Sequence, residues 1–437
     1  MNTGIRLAAD LDAISREEIE RLRAHNFTQL VTAARRTPAV LRRWPGLDSV
    51  HSLNRLPELP VLTPSALADG CPPHSMEFLI DGDQPGMVLR SSGTSSKVKM
   101  MYHSWAFNEQ VSTLGARGLR ATLPEPPHRV ANCLYGAELN GSFLFTQEIA
   151  RLLGARVYPL GNVTGVADTA KMIAEHAIDT LAAPPGYGVD LLTSTPPDML
   201  ASMRTYLYIG ESLGASRTTA LTDALPELTV RSLAYSTTET GPIGYQCQRL
   251  SGNDHHVHED AMVVEIVDEE TGRSVPDGEE GEVLVTPLSD TGMALFRYAI
   301  GDRGRLSTQP CRCGSQAAVL TLLGRARQSL NVDSETVSAD QLMARLARLG
   351  ITDPADCQLQ VLWAVNRYRV RLLLSPSTPK AITADAVVAA FADTVELNQI
   401  VTGPRCLGFT VEHVERSDFE RTERGKVPTL YQRLVTA

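Results

Sequence analysis

Two segments carry side chains suited to anion chemistry. Residues 91–100 read SSGTSSKVKM, in which Ser91, Ser92, Gly93, Thr94, Ser95 and Ser96 run together and are followed by Lys97 and Lys99. Small side chains let backbone N–H groups and hydroxyls close around phosphate oxygens, and the lysines add charge. The run is not a Walker A loop, because Gly-x4-Gly-Lys-[Ser/Thr] is absent. Taken alone, it reads equally well as a flexible serine-rich surface loop. More than three hundred residues downstream, Lys426 sits in ERTERGKVPTLYQR.

A third group is of metal-ligand type. Cys311-x-Cys313 precedes Gly314, and Cys247 lies upstream, near His255, His256 and His258. Three cysteines and one histidine can make a closed structural Zn²⁺ site. The plainer alternative is a set of reduced thiols in a turn. Cys71, Cys133, Cys357 and Cys406 show no spacing pattern and read as core thiols.

The elements that position these groups follow from periodicity. Ser15 and Glu18 have capping-box spacing, and Phe27, Leu30, Val31 and Ala34 recur on one helical face ahead of Pro38. From about 86 to 240, β-rich runs (MVLR, VANCLY, ARVYPL, TVRSLAY) alternate with helical stretches such as SFLFTQEIARLL, which predicts an α/β domain. After about 255, MVVEIV and EVLVTPL flank the turn-rich TGRSVPDGEEG, an antiparallel β-region. QLQVLWAV, RYRVRLLL, a helix over 382–395 and the strand LGFTVEHV then predict a small α+β domain. The expected division is 1–325 and 326–437, with the boundary near 325–328.

Composition bounds the partners. The chain has 437 residues, 43% hydrophobic and 21% charged, with a net charge of −9. That excludes a nucleic-acid binder relying on general positive charge. No apolar run approaches the ~20 residues of a membrane span, and no signal-type stretch opens the sequence, so a cytoplasmic protein without membrane contact is expected.

Five motifs in order carry a resemblance. They are Tyr208-Ile209-Gly210-Glu211-Ser212, Tyr235-Ser236-Thr237-Thr238-Glu239-Thr240-Gly241-Pro242, Phe296-Arg297-Tyr298-Ala299-Ile300-Gly301-Asp302, Gly324-Arg325 and Arg421-Thr422-Glu423-Arg424-Gly425-Lys426. With the SSGT loop, PPGYG (184–188), HVHEDAMVVEI (256–266) and CRCG (311–314), the chain resembles the adenylate-forming superfamily, closest to its phenylacetate–CoA ligase-like branch. The resemblance implies an α/β N-terminal domain and a small mobile C-terminal domain. The implied activity is ATP-dependent activation of a carboxylate to acyl-AMP, then transfer to CoA.

The implied roles follow by position. Ser91, Ser92, Gly93, Thr94, Ser95, Ser96 and Lys97 would hold the β- and γ-phosphates. Gly210 and Glu211 would lie near adenine, with Tyr235 against its ring. Ser236 and Thr237 belong to the same nucleotide loop, in which Thr238 would touch the α-phosphate and Glu239 would hold Mg²⁺. Asp302 would accept the ribose hydroxyls, Arg325 would lie near ribose and phosphate, and Lys426 would reach the carboxylate and α-phosphate. Zn²⁺ would take Cys247, Cys311, Cys313 and His256, with His255 as the substitute. A homodimer is common in the branch.

The acyl pocket is implied near Tyr135, Gly136, Ala137, Ala183, Pro184, Gly186, Gly210, Tyr235, Ser236, Pro242 and Ile243. These segments are small or apolar and carry no lysine or arginine for a second carboxylate. A flat aromatic monoacid fits, of benzoate, anthranilate or phenylacetate type. The chain departs from the family where Ser95-Ser96-Lys97-Val98 replaces Thr-Gly-Lys-Pro, and where Ser236, Arg327 and Glu420 replace Gly, Asp and Pro. Ser334 stands in place of a glycine that lines the thiol route. A carrier-protein phosphopantetheine or an amine is therefore the alternative acceptor, and a nucleotide-binding protein without turnover is the non-enzymatic alternative.

Overall fold

A computed structural model describes residues 4–91, 99–325, 329–420 and 427–434. Ser92–Lys97, Arg327 and Lys426, all singled out above, lie outside the described residues, and of Arg325 only the backbone is described.

Five short strands form a parallel sheet in the order Arg156–Pro159, Arg129–Asn132, Thr180–Ala183, Thr205–Tyr208, Thr229–Ser232. The helices Ser142–Leu152, Val166–His176 and Pro185–Ser194 connect them. Every strand runs the same way, so all carboxyl ends, and the loops after them, fall on one edge. That edge is where open α/β sheets bind ligands.

A seven-stranded antiparallel sheet lies beside it and includes Met262–Val267, Glu280–Pro287 and Tyr298–Ser307. The first helix is Arg16–Arg35; Ser15 Oγ accepts from the Glu18 backbone N–H at 3.2 Å. The expected reciprocal bond of a capping box is replaced, because the Glu18 carboxylate pairs with Arg21 one turn on. The 256–266 stretch ties this helix to the sheet. Arg117 forks onto both Asp260 oxygens at 2.6 and 2.7 Å, and Asn26 donates to the Asp260 carbonyl. Arg297, inside the third motif, likewise serves the frame: it pairs with Glu265 and donates to the Leu59 carbonyl at 2.8 Å.

Residues from Leu330 to Leu430 close a separate hydrophobic core around a four-stranded sheet. Cys357–Ala364 and Arg367–Leu374 are antiparallel, and Cys406–His413 and Leu430–Leu434 flank them in parallel. The helix expected over 382–395 is two, Ala384–Phe391 and Val395–Thr402. The break falls at Ala392-Asp393-Thr394, where Asp393 receives Arg348 at 2.9 Å and Thr394 begins the next helix. Among the described residues no helix is long and apolar enough to cross a membrane.

Candidate active site

A cavity of about 770 Å³ opens at the carboxyl edge of the parallel sheet. Loops following three parallel strands supply Leu134 and Tyr135, Pro184, and Ile209 and Gly210. Ser236, Thr237, Thr238, Glu239 and Gly241 come from the hairpin Tyr235–Thr237/Gly241–Tyr245 that follows the last parallel strand. The hairpin Gly86–Ser91/Lys99–Ser104 adds Leu89, Ser91, Lys99 and His103, and the C-terminal unit adds Ser334 and Thr336. Gly241 has φ of +70°, and a Cβ there would lie 2.6 Å from Val111, so the turn needs glycine.

The polar centre of the cavity is built on Glu239. One carboxylate oxygen accepts from Lys99 Nζ at 2.5 Å, Ser91 Oγ at 2.7 Å and Tyr298 OH at 3.0 Å, and Lys99 also donates to Tyr298 at 2.9 Å. All four side chains are buried. Burial alone would raise the Glu239 carboxyl, but the Lys99 charge and the hydrogen bonds from Lys99 and Ser91 hold it down at about 2. Burial also opposes the Lys99 charge, and Glu239 outweighs it, keeping the ammonium above its ordinary range. Beside them His103 Nε2 lies 2.8 Å from the Thr238 carbonyl, so Nε2–H donates and fixes the loop; burial pushes the ring down to about 4. The turn itself is tied by the Thr240 N–H on Thr237 Oγ1 at 3.2 Å.

Of the residues expected at the site, the cavity wall holds Ser91, Tyr135, Pro184, Gly210, Ser236, Thr237, Thr238 and Glu239. Ala183, Pro242 and Ile243 are core instead, because they sit inside strands packed on both sides. Gly136 and Ala137 are exposed in a loop. Gly186 faces the C-terminal unit: its carbonyl accepts Asn366 Nδ2 at 2.7 Å. Glu211 is turned into a buried pair with Arg217 at 2.9 Å and lies off the cavity wall. Tyr235 OH donates to Asp302 at 2.7 Å, and Asp302 pairs across the strands with Arg325; neither Tyr235 nor Asp302 lines this cavity.

Residues that the sequence reading passed over complete the site. Lys99 had been counted only as loop charge, and Tyr298 was a motif letter without a role. The apolar wall of Leu89, Val111, Leu134 and Phe145 comes partly from helices Trp105–Thr122 and Ser142–Leu152, whose periodicity marks buried faces without saying which face borders a cavity. Among the described residues the wall's lysine and arginine are paired, Lys99 with Glu239 and Arg151 with Glu148.

Two metals are implied by the motifs. For Mg²⁺, Glu239 presents a carboxylate on the cavity wall beside Ser91, and one carboxylate plus substrate phosphates is an ordinary Mg²⁺ set. For Zn²⁺, the donor atoms of Cys247, His256, Cys311 and Cys313 all lie within 4.8 Å of one another. Tetrahedral Zn–S and Zn–N bonds require about 3.8 Å between sulfurs and about 3.6 Å between sulfur and nitrogen. The Cys247–Cys311 separation is 4.0 Å, and Cys313 Sγ to His256 Nε2 is 3.4 Å. His256 Nδ1 lies 3.0 Å from the Ala317 carbonyl and donates to it, which leaves the Nε2 lone pair toward the sulfurs. The cluster contains His256 and not His255.

Comparison with known proteins agrees with this geometry. A family model described as AMP-binding enzyme matches residues 25–288. A phenylacetate–coenzyme A ligase of Thermus thermophilus is 26% identical over 349 residues, 77% of each chain. One of Escherichia coli K12 is 25% identical over 319 residues, 72% of this chain and 71% of the relative. A solved 2-hydroxyisobutyryl-CoA ligase, with 2-HIB-AMP and CoA in its thioesterification state, has a TM-score of 0.76 at 17% identity, covering 98% of this chain and 91% of that one. The same ligase in a postadenylation state has a TM-score of 0.64 at 18% identity, covering 96% and 90%. The chain belongs to the AMP-binding enzyme family, in the phenylacetate–CoA ligase-like branch of the adenylate-forming superfamily.

Proposed function

We propose that the protein is an AMP-forming acid–thiol ligase that activates an aromatic monocarboxylate with ATP and transfers the acyl group to CoA. The observation that carries this reading is the joining, in one cavity, of the Ser91–Lys99–Glu239 centre, an apolar wall, and two residues of the C-terminal unit, Ser334 and Thr336. In the first step the carboxylate oxygen attacks the α-phosphorus of ATP and pyrophosphate leaves. In the second, a thiol attacks the acyl carbon and AMP leaves. Ser91 and the 92–97 segment would take the β- and γ-phosphates, Thr238 would donate to the α-phosphate, and Lys426 would neutralise the meeting anions. Gly210 would border adenine; Tyr235 and Asp302, joined by their hydrogen bond outside the cavity wall, would meet the adenine ring and, with Arg325, the ribose, while Glu211 stays paired with Arg217. Glu239 would hold Mg²⁺, which supplies charge neutralisation when bound with nucleotide. Zn²⁺ held by Cys247, His256, Cys311 and Cys313 would be structural.

Leu89, Val111, Leu134, Phe145 and Tyr135 bound the acyl space, and among the described residues both wall cations, Lys99 and Arg151, are already paired. A benzoate-, anthranilate- or phenylacetate-like acid suits that wall. The higher TM-score with the thioesterification-state neighbour supports a C-terminal unit set for acyl transfer. Ser334 at the cavity keeps a carrier-protein phosphopantetheine or an amine as the second reading for the acceptor. Mass spectrometry of products from ATP, an aryl-acid panel and either CoA or a phosphopantetheinylated carrier tests this. Acyl-CoA is the expected product; acylated carrier with no acyl-CoA would move the assignment to the second reading.

A further inference from the structure

The C-terminal unit meets the rest of the chain through a small buried set of polar contacts with no role in the chemistry above. Arg405 is its centre, with only 14% of its side chain exposed. Its guanidinium pairs with Asp333 at 2.6 Å within the C-terminal unit and with Asp190 at 3.3 Å across the junction. Asn366 donates from Nδ2 to the Gly186 carbonyl at 2.7 Å and to Asp190 Oδ1 at 2.8 Å. Both targets lie on the helix Pro185–Ser194, which follows the pocket residue Pro184. The guanidinium rests directly on Gly186, where a Cβ would sit 2.6 Å from Arg405 Cζ.

A second contact lies beside it. Arg217 stacks over Trp363 at 4.7 Å while holding Glu211 at 2.9 Å. Glu211 in turn accepts a hydrogen bond from the Ser334 backbone N–H. Asp333 and Ser334 form a strained turn, with φ of +54° and +70°. The Arg405–Asp333 pair anchors that turn, and Ser334 Oγ comes within 3.9 Å of the place a Gly210 Cβ would take. One chain of contacts thus runs from the Pro185–Ser194 helix through Arg405 and Asp333 to the cavity wall.

Resting on the two-step reading above, we propose that Arg405 is a positioning residue for acyl transfer: docked on Gly186 and Asp190, it sets the Asp333–Ser334 turn against Gly210 and so completes the cavity for the incoming nucleophile. On this proposal adenylation proceeds without that turn in place. The latch therefore acts on the second half-reaction alone.

Two variants address it from opposite sides. Arg405→Ala removes the cation. Gly186→Ala leaves Arg405 intact and puts a methyl where the guanidinium lies, at a helical position that favours alanine. Fluorophores incorporated as non-natural residues at the exposed positions Asp198 and Asp385 report the distance between the units by energy transfer. Both variants are expected to shift that distance distribution. Both should slow single-turnover acyl transfer from preformed acyl-AMP on the order of tenfold to a hundredfold, the usual size of such coupling, with acid-dependent pyrophosphate release retained. An unchanged distance distribution in both variants would overturn the proposal, as would an equal loss in the two half-reactions. Absence of acid-dependent pyrophosphate release in the unsubstituted protein would strike the two-step reading itself, and the distance measurement would then judge the latch alone.

Discussion

Glu239 and Lys99 are each nearly inaccessible, and each is charged only because the other is there. Removing one partner strands the other in a low-dielectric wall, which costs about 3–5 kcal/mol. Lys99→Met is therefore expected to lower the thermal midpoint sharply in calorimetry, and a Lys99→Met/Glu239→Gln double variant to recover most of the loss. The pH dependence has a definite sign. Glu239 is depressed from 4.5 to about 2, so its contribution is fully present above pH 4.5 and is lost as pH falls toward 2. Lys99 is raised above 10.5, so its contribution is complete below 10.5 and is lost at higher pH. His103, depressed from 6.5 to about 4, adds stability present above 6.5 that declines as pH falls through 4. Denaturant midpoints measured from pH 3 to 8 should decline toward acid, with the loss beginning below pH 6.5; a flat profile would contradict these assignments.

Motifs located the loops better than they located the side chains. Ser91, YSTTETG and FRYAIGD reach one site, but no motif states that Lys99 points inward to Glu239 while Glu211 turns away to Arg217. The acyl wall was read least well. Ala183, Pro242 and Ile243 are apolar for the ordinary reason that they fill strands, and a single sequence does not separate apolar core from apolar pocket.

The elements were legible where periodicity was strong. The parallel strands, the antiparallel pair Met262–Val267/Glu280–Pro287 and the C-terminal strands stand where alternation and turn residues put them. The split of the 382–395 helix was not legible, because Ala392-Asp393-Thr394 continues a helical pattern locally and only the ion pairs with Arg345 and Arg348 mark the break. The Cys-x-Cys turn belongs to this scale, because metal there would join the end of one strand to the loop between two others. Elemental analysis should find about one zinc per chain. Chelation, or Cys313→Ser, should lower the thermal midpoint while leaving ATP affinity near its original value; a metal-free protein with an unchanged midpoint after chelation would remove zinc from the account.

At the scale of the whole molecule, a parallel-sheet edge holds loops that line the cavity, an antiparallel sheet carries Asp302, and a separately cored C-terminal unit adds Ser334 and Thr336 to the cavity wall. Lys426 belongs to that C-terminal unit in sequence. Lys426→Ala, with circular dichroism unchanged, is expected to lower acyl-AMP formation by at least about 10²-fold, the scale of losing one charge-stabilising group; wild-type rates would sink its role. The central claim is that one cavity couples ATP to a carboxylate. Acid-dependent pyrophosphate release with ATP and Mg²⁺, run over aryl and aliphatic acids with and without CoA, tests it most directly. The account predicts release with aryl monoacids and accumulation of the matching acyl-CoA when CoA is present. ATP binding with no release for any acid would contradict it and leave a nucleotide-binding protein without turnover.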